Sequence, residues 1–128
     1  MFSTSMGVMV YVAKANAVYG DKNSSGQACE RGFLSDHDFL CTEMNTEGTN
    51  VNTQESAHYQ IYNQHKRYHF VTWEEMDTIR PKIKDYINRT DGWAVFHADL
   101  DVRRVCGAEN SMDRVIALYT AVKTRRVP

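Results

Sequence analysis

Trp93 to Ala98 form an almost unbroken apolar run that ends at two carboxylates, Asp99 and Asp101. A run of this length without polar alternation suits a strand buried on both faces, as in a parallel sheet covered by helices. A strand with one wet face would alternate. The segment therefore predicts an α/β fold, and in α/β barrels the C-terminal ends of such strands face the active site. On an extended strand Asp99 and Asp101 point the same way. Two readings stay open for them: groups at the rim of a site, or acceptors that cap neighbouring backbone N–H groups.

The rest of the chain supplies partners for that strand. Gly7 to Val12 reads as a short buried strand, rich in Val and Met. Asn16 to Gln27 is dense in Gly, Asn and Ser and reads as a loop. Asp36 to Met44 predicts a helix capped by Ser35 or Asp36, with Phe39, Leu40 and Met44 near one face. Asn45 to Gln60 is polar, a long loop or a weak hairpin. Tyr59 to Trp73 is aromatic-rich and imperfectly alternating, which suits the strands of a small sheet. Thr72-x-x-Glu75 has capping-box form, yet Pro81 is tolerated only in a first turn. The helix is therefore expected to begin near Thr78, after a short turn at Glu74 to Asp77. Its apolar stripe is Ile79, Ile83, Tyr86 and Ile87. Ser111 is the expected cap of a last helix, on which Met112, Val115, Ile116, Tyr119 and Val122 share a face that reads as core. The order is strand, insertion, helix, strand, helix: one βαβ unit with an α+β lobe in its crossover.

Four segments resemble glycoside hydrolase family 18, the chitinases and chitinase-like proteins. Gly92 to Asp101 resembles the family's eighth strand, Gly-Gly-x-Met-x-Trp-x-x-Asp-x-Asp-Asp, with Gly92, Phe96, Asp99 and Asp101 in the matching places. Val71-Thr72-Trp73-Glu74-Glu75 resembles the segment before the seventh helix. Gly32 to Cys41 resembles a stretch of the insertion domain of the longer members. Met6 to Tyr11 resembles the seventh strand. Divergent members from ticks and mites look most similar, with a comparable spacing of cysteines and a C-terminal Val-Cys-Gly.

The resemblance implies a fold of the last two strand–helix units of a (β/α)8 barrel carrying a small insertion lobe. Residues 1–15 and 70–128 would form the incomplete barrel, and residues 16–69 the lobe and loops. It implies a chito-oligosaccharide as ligand, with Tyr11, Phe96, Asp99 and Asp101 at the binding positions. Phe96 replaces the family's Trp, and its ring is expected to face the barrel axis, with His97 facing the helices. Tyr11 is followed by Val12 and Ala13 rather than Gly-Arg, and Val102 stands where the family has a second Asp. The resemblance also implies a Cys41–Cys106 disulfide, leaving Cys29 over. Closing so long a loop constrains the unfolded chain by roughly 3–5 kcal/mol. The family's catalytic signature, Asp-x-x-Asp-x-Asp-x-Glu, occurs nowhere in the chain. Hydrolysis of chitin is accordingly not expected, and no catalytic residue is assigned.

Composition bounds the alternatives. At 128 residues the chain suffices for one modest domain and not for a whole eight-stranded barrel. A formal net charge of −1 gives no reason to expect a nucleic acid or an anionic membrane as partner. No segment approaches the roughly 20 apolar residues that span a bilayer. Met1 to Val12 lacks the basic start and long apolar core of a signal peptide, so a secreted location rests on the family resemblance. Either a leader has been removed or Met1 begins a fragment. The sequons Asn23-Ser24-Ser25 and Asn88-Arg89-Thr90 fit secretion as glycosylation acceptors. Three cysteines leave one unpaired, or all three reduced in a cytosolic protein.

Other chemistries find little support. The five histidines lack a compact ligand spacing, so neither a metal nor another cofactor is expected. His65 and His69 would align on a helix, but their surroundings read as strand. His97 reads as a core histidine bonded to a backbone carbonyl, and Trp73 and Trp93 as core. No Gly-x-Ser-x-Gly or Gly-x-Gly-x-x-Gly occurs. Two strands of a parallel sheet cannot cover their own edges. A homo-oligomer, or completion by an N-terminal barrel segment, is therefore expected. Three functions are carried forward: an inactive chitinase-like saccharide-binding or salivary interaction protein, a piece of a longer active chitinase, and an unrelated α+β interaction domain.

Overall fold

A computed structural model of the chain describes residues 1–14, 28–44, 50–52, 57–105 and 110–128. In chain order the strands are β1 (Phe2–Ser5), β2 (Val8–Ala13), β3 (Cys29–Ser35), β4 (Asn50–Asn52), β5 (Ala57–Gln64), β6 (Arg67–Trp73) and β7 (Trp93–Phe96). The helices are α1 (Phe39–Thr42), α2 (Met76–Tyr86) and α3 (Asp113–Thr124), with 3₁₀ turns at Ile87–Arg89 and Ala98–Leu100. The class is mixed α/β. β1 and β7 pair in parallel, Phe2 opposite Trp93 through Ser5 opposite Phe96. The other strands form an antiparallel sheet in the order β3-β2-β6-β5-β4. No closed barrel occurs among the described residues.

Two cores follow from this division. Met6, Ile79, Ile83, Ile87, Leu118 and Ala121 are buried between the helices and the parallel pair, with Trp93, Val95, Val115 and Val122 packed against them. The Trp93 indole N–H donates to Thr4 Oγ1 at 2.9 Å, so the ring packs without orphaning its polar end. Val8, Val10, Phe39, Met44, Val71 and Trp73 form the second core, between the antiparallel sheet and α1.

Met6 and Gly7 carry the chain from one sheet to the other. The Met6 N–H bonds to Phe96 O at 2.9 Å, continuing the parallel ladder, before Val8 enters β2. A Cβ on Gly7 would lie 3.0 Å from both Leu100 Cδ1 and Leu34 Cδ2, so glycine lets the turn after β7 close against β3. The lobe boundary therefore falls at Met6–Gly7 and again after Trp73. The strand expected at residues 7–12 belongs to the antiparallel sheet, and the parallel strand lies ahead of it.

Several expectations need correction. β7 is four residues long, half-buried up to Val95, and Phe96 is 54% exposed. The apolar run reads as doubly covered because hydropathy does not reveal that Trp93 and Val95 pack against the core while Phe96 stays exposed. Helix α2 starts at Met76, earlier than expected, and contains Pro81 beyond its first turn. Thr78 Oγ1 accepts from the Glu75 N–H at 3.1 Å, so the cap is set by Glu75 and Thr78 rather than by Thr72. Burial of Met76, Thr78, Ile79 and Ile83 offsets the Pro81 penalty of about 3 kcal/mol. Helix α1 is one turn, Phe39–Thr42, shorter than Asp36 to Met44. Ser111 does not cap α3: its hydroxyl accepts from the Arg103 N–H at 2.7 Å.

The face α3 buries also differs. Arg114, Leu118 and Ala121 point inward, while Ile116 and Tyr119 are exposed. Arg114 and Asp101 are both 0% exposed and joined at 2.8 Å, Nε to Oδ1. The guanidinium also donates to Met6 O at 2.7 Å and to Glu74 O. Asp101 Oδ2 accepts from the Val115 N–H at 3.3 Å, taking over one orphan donor of the first helical turn.

Replacing one member of such a pair leaves the other charge buried without compensation. Arg114→Met is expected to lower unfolding stability by about 3–5 kcal/mol, measured by urea titration at neutral pH.

Candidate functional site

Strand alternation sorts the antiparallel sheet into two unlike faces. Val8, Val10, Val71 and Trp73 point to the second core. Met9 and Tyr11 of β2, Leu34 of β3, Tyr59 and Ile61 of β5, and Tyr68 and Phe70 of β6 take the other face. Every one of these seven is half-buried or exposed. Register places Tyr11 beside Phe70 and Phe70 beside Ile61. The rings follow suit: Tyr11 to Phe70 is 6.2 Å between centroids, and Phe70 to Tyr59 is 5.8 Å and stacked. The result is a row of three rings across β2, β6 and β5.

Gly32, opposite Tyr11 on β3, helps to form this row. A Cβ there would stand 3.2 Å from the Tyr11 ring and 3.2 Å from the Met9 methyl. Glycine gives both side chains room to lean across the edge of the sheet. Tyr11 is 37% exposed. An aromatic face of this kind suits flat apolar ligands whose polar groups project at the rim, as on a sugar ring.

A polar seam holds the sheet to the rest of the chain. The buried His37 meets Glu75 Oε1 at 2.6 Å through Nε2, and Arg103 donates to Glu75 Oε2 at 2.7 Å. Asp38 accepts the backbone N–H groups of Arg104 and Val105 at 2.9–3.0 Å. On the other side of the same helix start, His58 Nε2 meets Asp77 Oδ1 at 2.8 Å and stacks on Trp73. Burial alone would raise the Glu75 carboxyl. The hydrogen bonds and charges of His37 and Arg103 outweigh it and bring it from 4.5 down to about 2.

The proposed site residues do not converge. Tyr11 joins the aromatic row. Phe96 and Asp99 are exposed, Phe96 at the end of β7 and Asp99 in the 3₁₀ turn after it. Asp101 is corrected from ligand contact to structure, since its carboxylate is buried and engaged by Arg114 and Val115. The two carboxylates do not share a face because the chain leaves extended geometry at His97, which adopts φ 54°. His97 itself is exposed, meeting Ser5 Oγ through Nδ1 at 3.0 Å, and is neither core nor carbonyl-bonded. Asn88 is exposed on a 3₁₀ turn, while Thr90 of the same sequon is buried. Asn23 and Cys106 lie outside the described residues. Cys29 is an exposed free thiol, and Cys41 is disulfide-bonded.

Sequence reasoning missed Arg114 and the His37–Glu75–Arg103 set, whose members are far apart in the chain. The aromatic row had a signal in the same-parity pairs Tyr59/Ile61 and Tyr68/Phe70. Among the described residues no cluster of His, Cys, Asp or Glu is arranged to hold a metal ion. No helix of theirs is long and apolar enough to cross a membrane. No family model, curated protein or solved structure matches the chain.

Two measurements test the seam. Because the folded Glu75 pKa lies below its ordinary value, its stabilisation is complete above about pH 5. It is lost as pH falls toward about 2. The stability difference between wild type and Glu75→Gln should therefore be largest near neutrality and shrink through that acid window in denaturant titrations. Non-reducing peptide mapping should recover Cys41 joined to Cys106, with Cys29 alkylated. A Cys29–Cys41 peptide would refute the expected pairing.

Proposed function

We propose that the chain is a catalytically inactive, chitinase-like saccharide-binding protein of the extracellular space. Its ligand is a chito-oligosaccharide laid on the row Tyr11–Phe70–Tyr59. The observation carrying this reading is that row, with ring centres 5.8 and 6.2 Å apart on the open face of a sheet. Stacked rings bind the C–H faces of sugars, and a continuous row offers several contacts to one oligomer. Tyr11, one of the four positions the family resemblance implies, lies in it, on the antiparallel sheet and not on the barrel strand to which the resemblance assigns it.

The same reading treats the parallel β1–β7 pair, with α2 and α3, as the last two strand–helix units of a barrel, with β1 taking the place that the resemblance gives to Met6 to Tyr11. Support comes from the element order: strand, insertion, helix, strand, helix. The disulfide at Cys41 and exposed Asn88 fit a secreted protein. A second reading, a piece of a longer chitinase, draws on the β7 edge facing away from β1, which pairs with no described strand.

Calorimetric titration with chitin oligomers tests the proposal. Wild type should bind, and Tyr11→Ala should weaken binding by about 1–3 kcal/mol through lost stacking, with an unchanged melting temperature. Phe70→Ala should weaken it similarly. No heat or chemical-shift change with wild type at millimolar oligomer would overturn the saccharide reading. Chitin turnover by contaminant-free protein would overturn the inactive one.

A further inference from the structure

The sequence writes an apolar stripe along α3, namely Met112, Val115, Ile116, Tyr119 and Val122. The chain buries that stripe only along one edge, where Val115 and Val122 pack against the first core. Arg114, Leu118 and Ala121 are the fully buried positions of α3, and Ile116 is left 56% and Tyr119 64% exposed. Beside the stripe, between α3 and β7, runs a groove of about 230 Å³ lined by Trp93, Val95, Val115, Leu118, Tyr119 and Val122. Every lining residue is apolar or aromatic. The strand at its floor contains no charge, proline or bulge of the kind that protects exposed edges. A helix stripe of this width alongside an apolar groove is the shape that packs against another helix.

We propose that this surface is a two-fold interface between two copies of the chain, with the α3 helices antiparallel. The charges at the ends of the stripe argue for this occupant. Asp113 stands in the first turn of α3 and Lys123 in the last, five residues either side of Leu118. Antiparallel packing about that midpoint brings Asp113 of one copy to Lys123 of the partner subunit, twice over. It also sets the two macrodipoles head to tail. A parallel pair would set like charges together at both ends. Tyr119 is the central anchor: its ring borders the groove and lies 5.7 Å from the ammonium of its own Lys123. The chain's net charge of −1 leaves little long-range repulsion between copies. This interface is separate from the aromatic face of the antiparallel sheet and stands or falls without it.

Sedimentation equilibrium of the full chain, without sugar, reads the outcome. Wild type should show a reversible monomer–dimer equilibrium in the micromolar range. Lys123→Asp, on an exposed residue, creates two repulsive contacts across the axis and should weaken the dimer roughly tenfold. Adding Asp113→Lys in the same chain should restore most of the loss, because both pairs are then reversed. Ile116→Asp should give a monomer, with circular dichroism confirming that the helix persists. If that variant fails to fold, the charge exchange still decides. A wild-type monomer at every concentration overturns the proposal and assigns the stripe to a different polypeptide segment. A dimer unaffected by Lys123→Asp, or not rescued by the exchange, overturns the antiparallel arrangement.

Discussion

The Arg114 guanidinium ties together the segments at which the two halves of the molecule meet. It is fully buried and binds Asp101 after β7, Met6 O where the chain leaves the parallel pair, and Glu74 O where it enters α2. A charge removed from water costs several kcal/mol unless its donors are met. Here a carboxylate and two carbonyls surround it, in the planar fan a guanidinium requires. Each acceptor comes from a different segment, so the arrangement is satisfied in one relative placement of sheet, helix and turn. Val115 fixes the other Asp101 oxygen and so ties the start of α3 to the same point. The Glu75 network repeats the device one residue further along. His37 comes from the antiparallel lobe, Glu75 from the cap of α2, and Arg103 from the segment after β7.

How far such a construction can be read from sequence depends on whether the signal is local. The strands at residues 7–12 and 59–73, and the helices following residues 75 and 111, were legible, since alternation, turn residues and helical spacing are short-range patterns. Trp73 was legible as core and β7 as a strand. The boundary between lobes was not, because a strand that changes sheets at Met6–Gly7 has the same hydropathy as one that does not. The inward face of α3 was misread for a physical reason. Hydropathy ranks Arg as a surface residue, but a paired Arg114 is among the most buried side chains here. Assigning it outward rotated the whole helix. Its partner lies 13 residues away in the chain, and no spacing rule connects them.

The two aspartates after β7 show why candidate sites are harder still. A carboxylate following a strand is equally suited to touch a ligand or to satisfy a helix terminus. Which it does depends on backbone geometry a few residues away. His97 in the left-handed region turns the chain into a 3₁₀ turn, leaving Asp99 outside and driving Asp101 inward. Only Asn, Asp and His among non-glycine residues are notably enriched there, so the histidine was a weak pointer to the bend. The aromatic face was more accessible to reasoning because it depends only on strand parity and register. Tyr11, Phe70 and Tyr59 lie on one side of neighbouring strands as a direct consequence of pairing.

These features divide the labour of the fold. Polar groups are concentrated at the seam, where Arg114, Asp101, Glu75 and His37 act through partners distant in sequence. Among the described residues, exposed apolar groups gather on the open sheet face and along the outer part of the α3 stripe. The exposed members of each, such as Tyr11 on the sheet and Ile116 and Tyr119 on the helix, stand apart from the residues buried in the two cores. A surface side chain there can change without loosening the core behind it, whereas a seam residue cannot. The sheet face combines aromatic rings with tyrosine hydroxyls and a glycine opening beside Tyr11, which suits a polar-edged ligand. The helix stripe combines aliphatic side chains with opposite charges at its ends, which suits another helix. The different chemistry of the two surfaces is the reason to assign them different occupants.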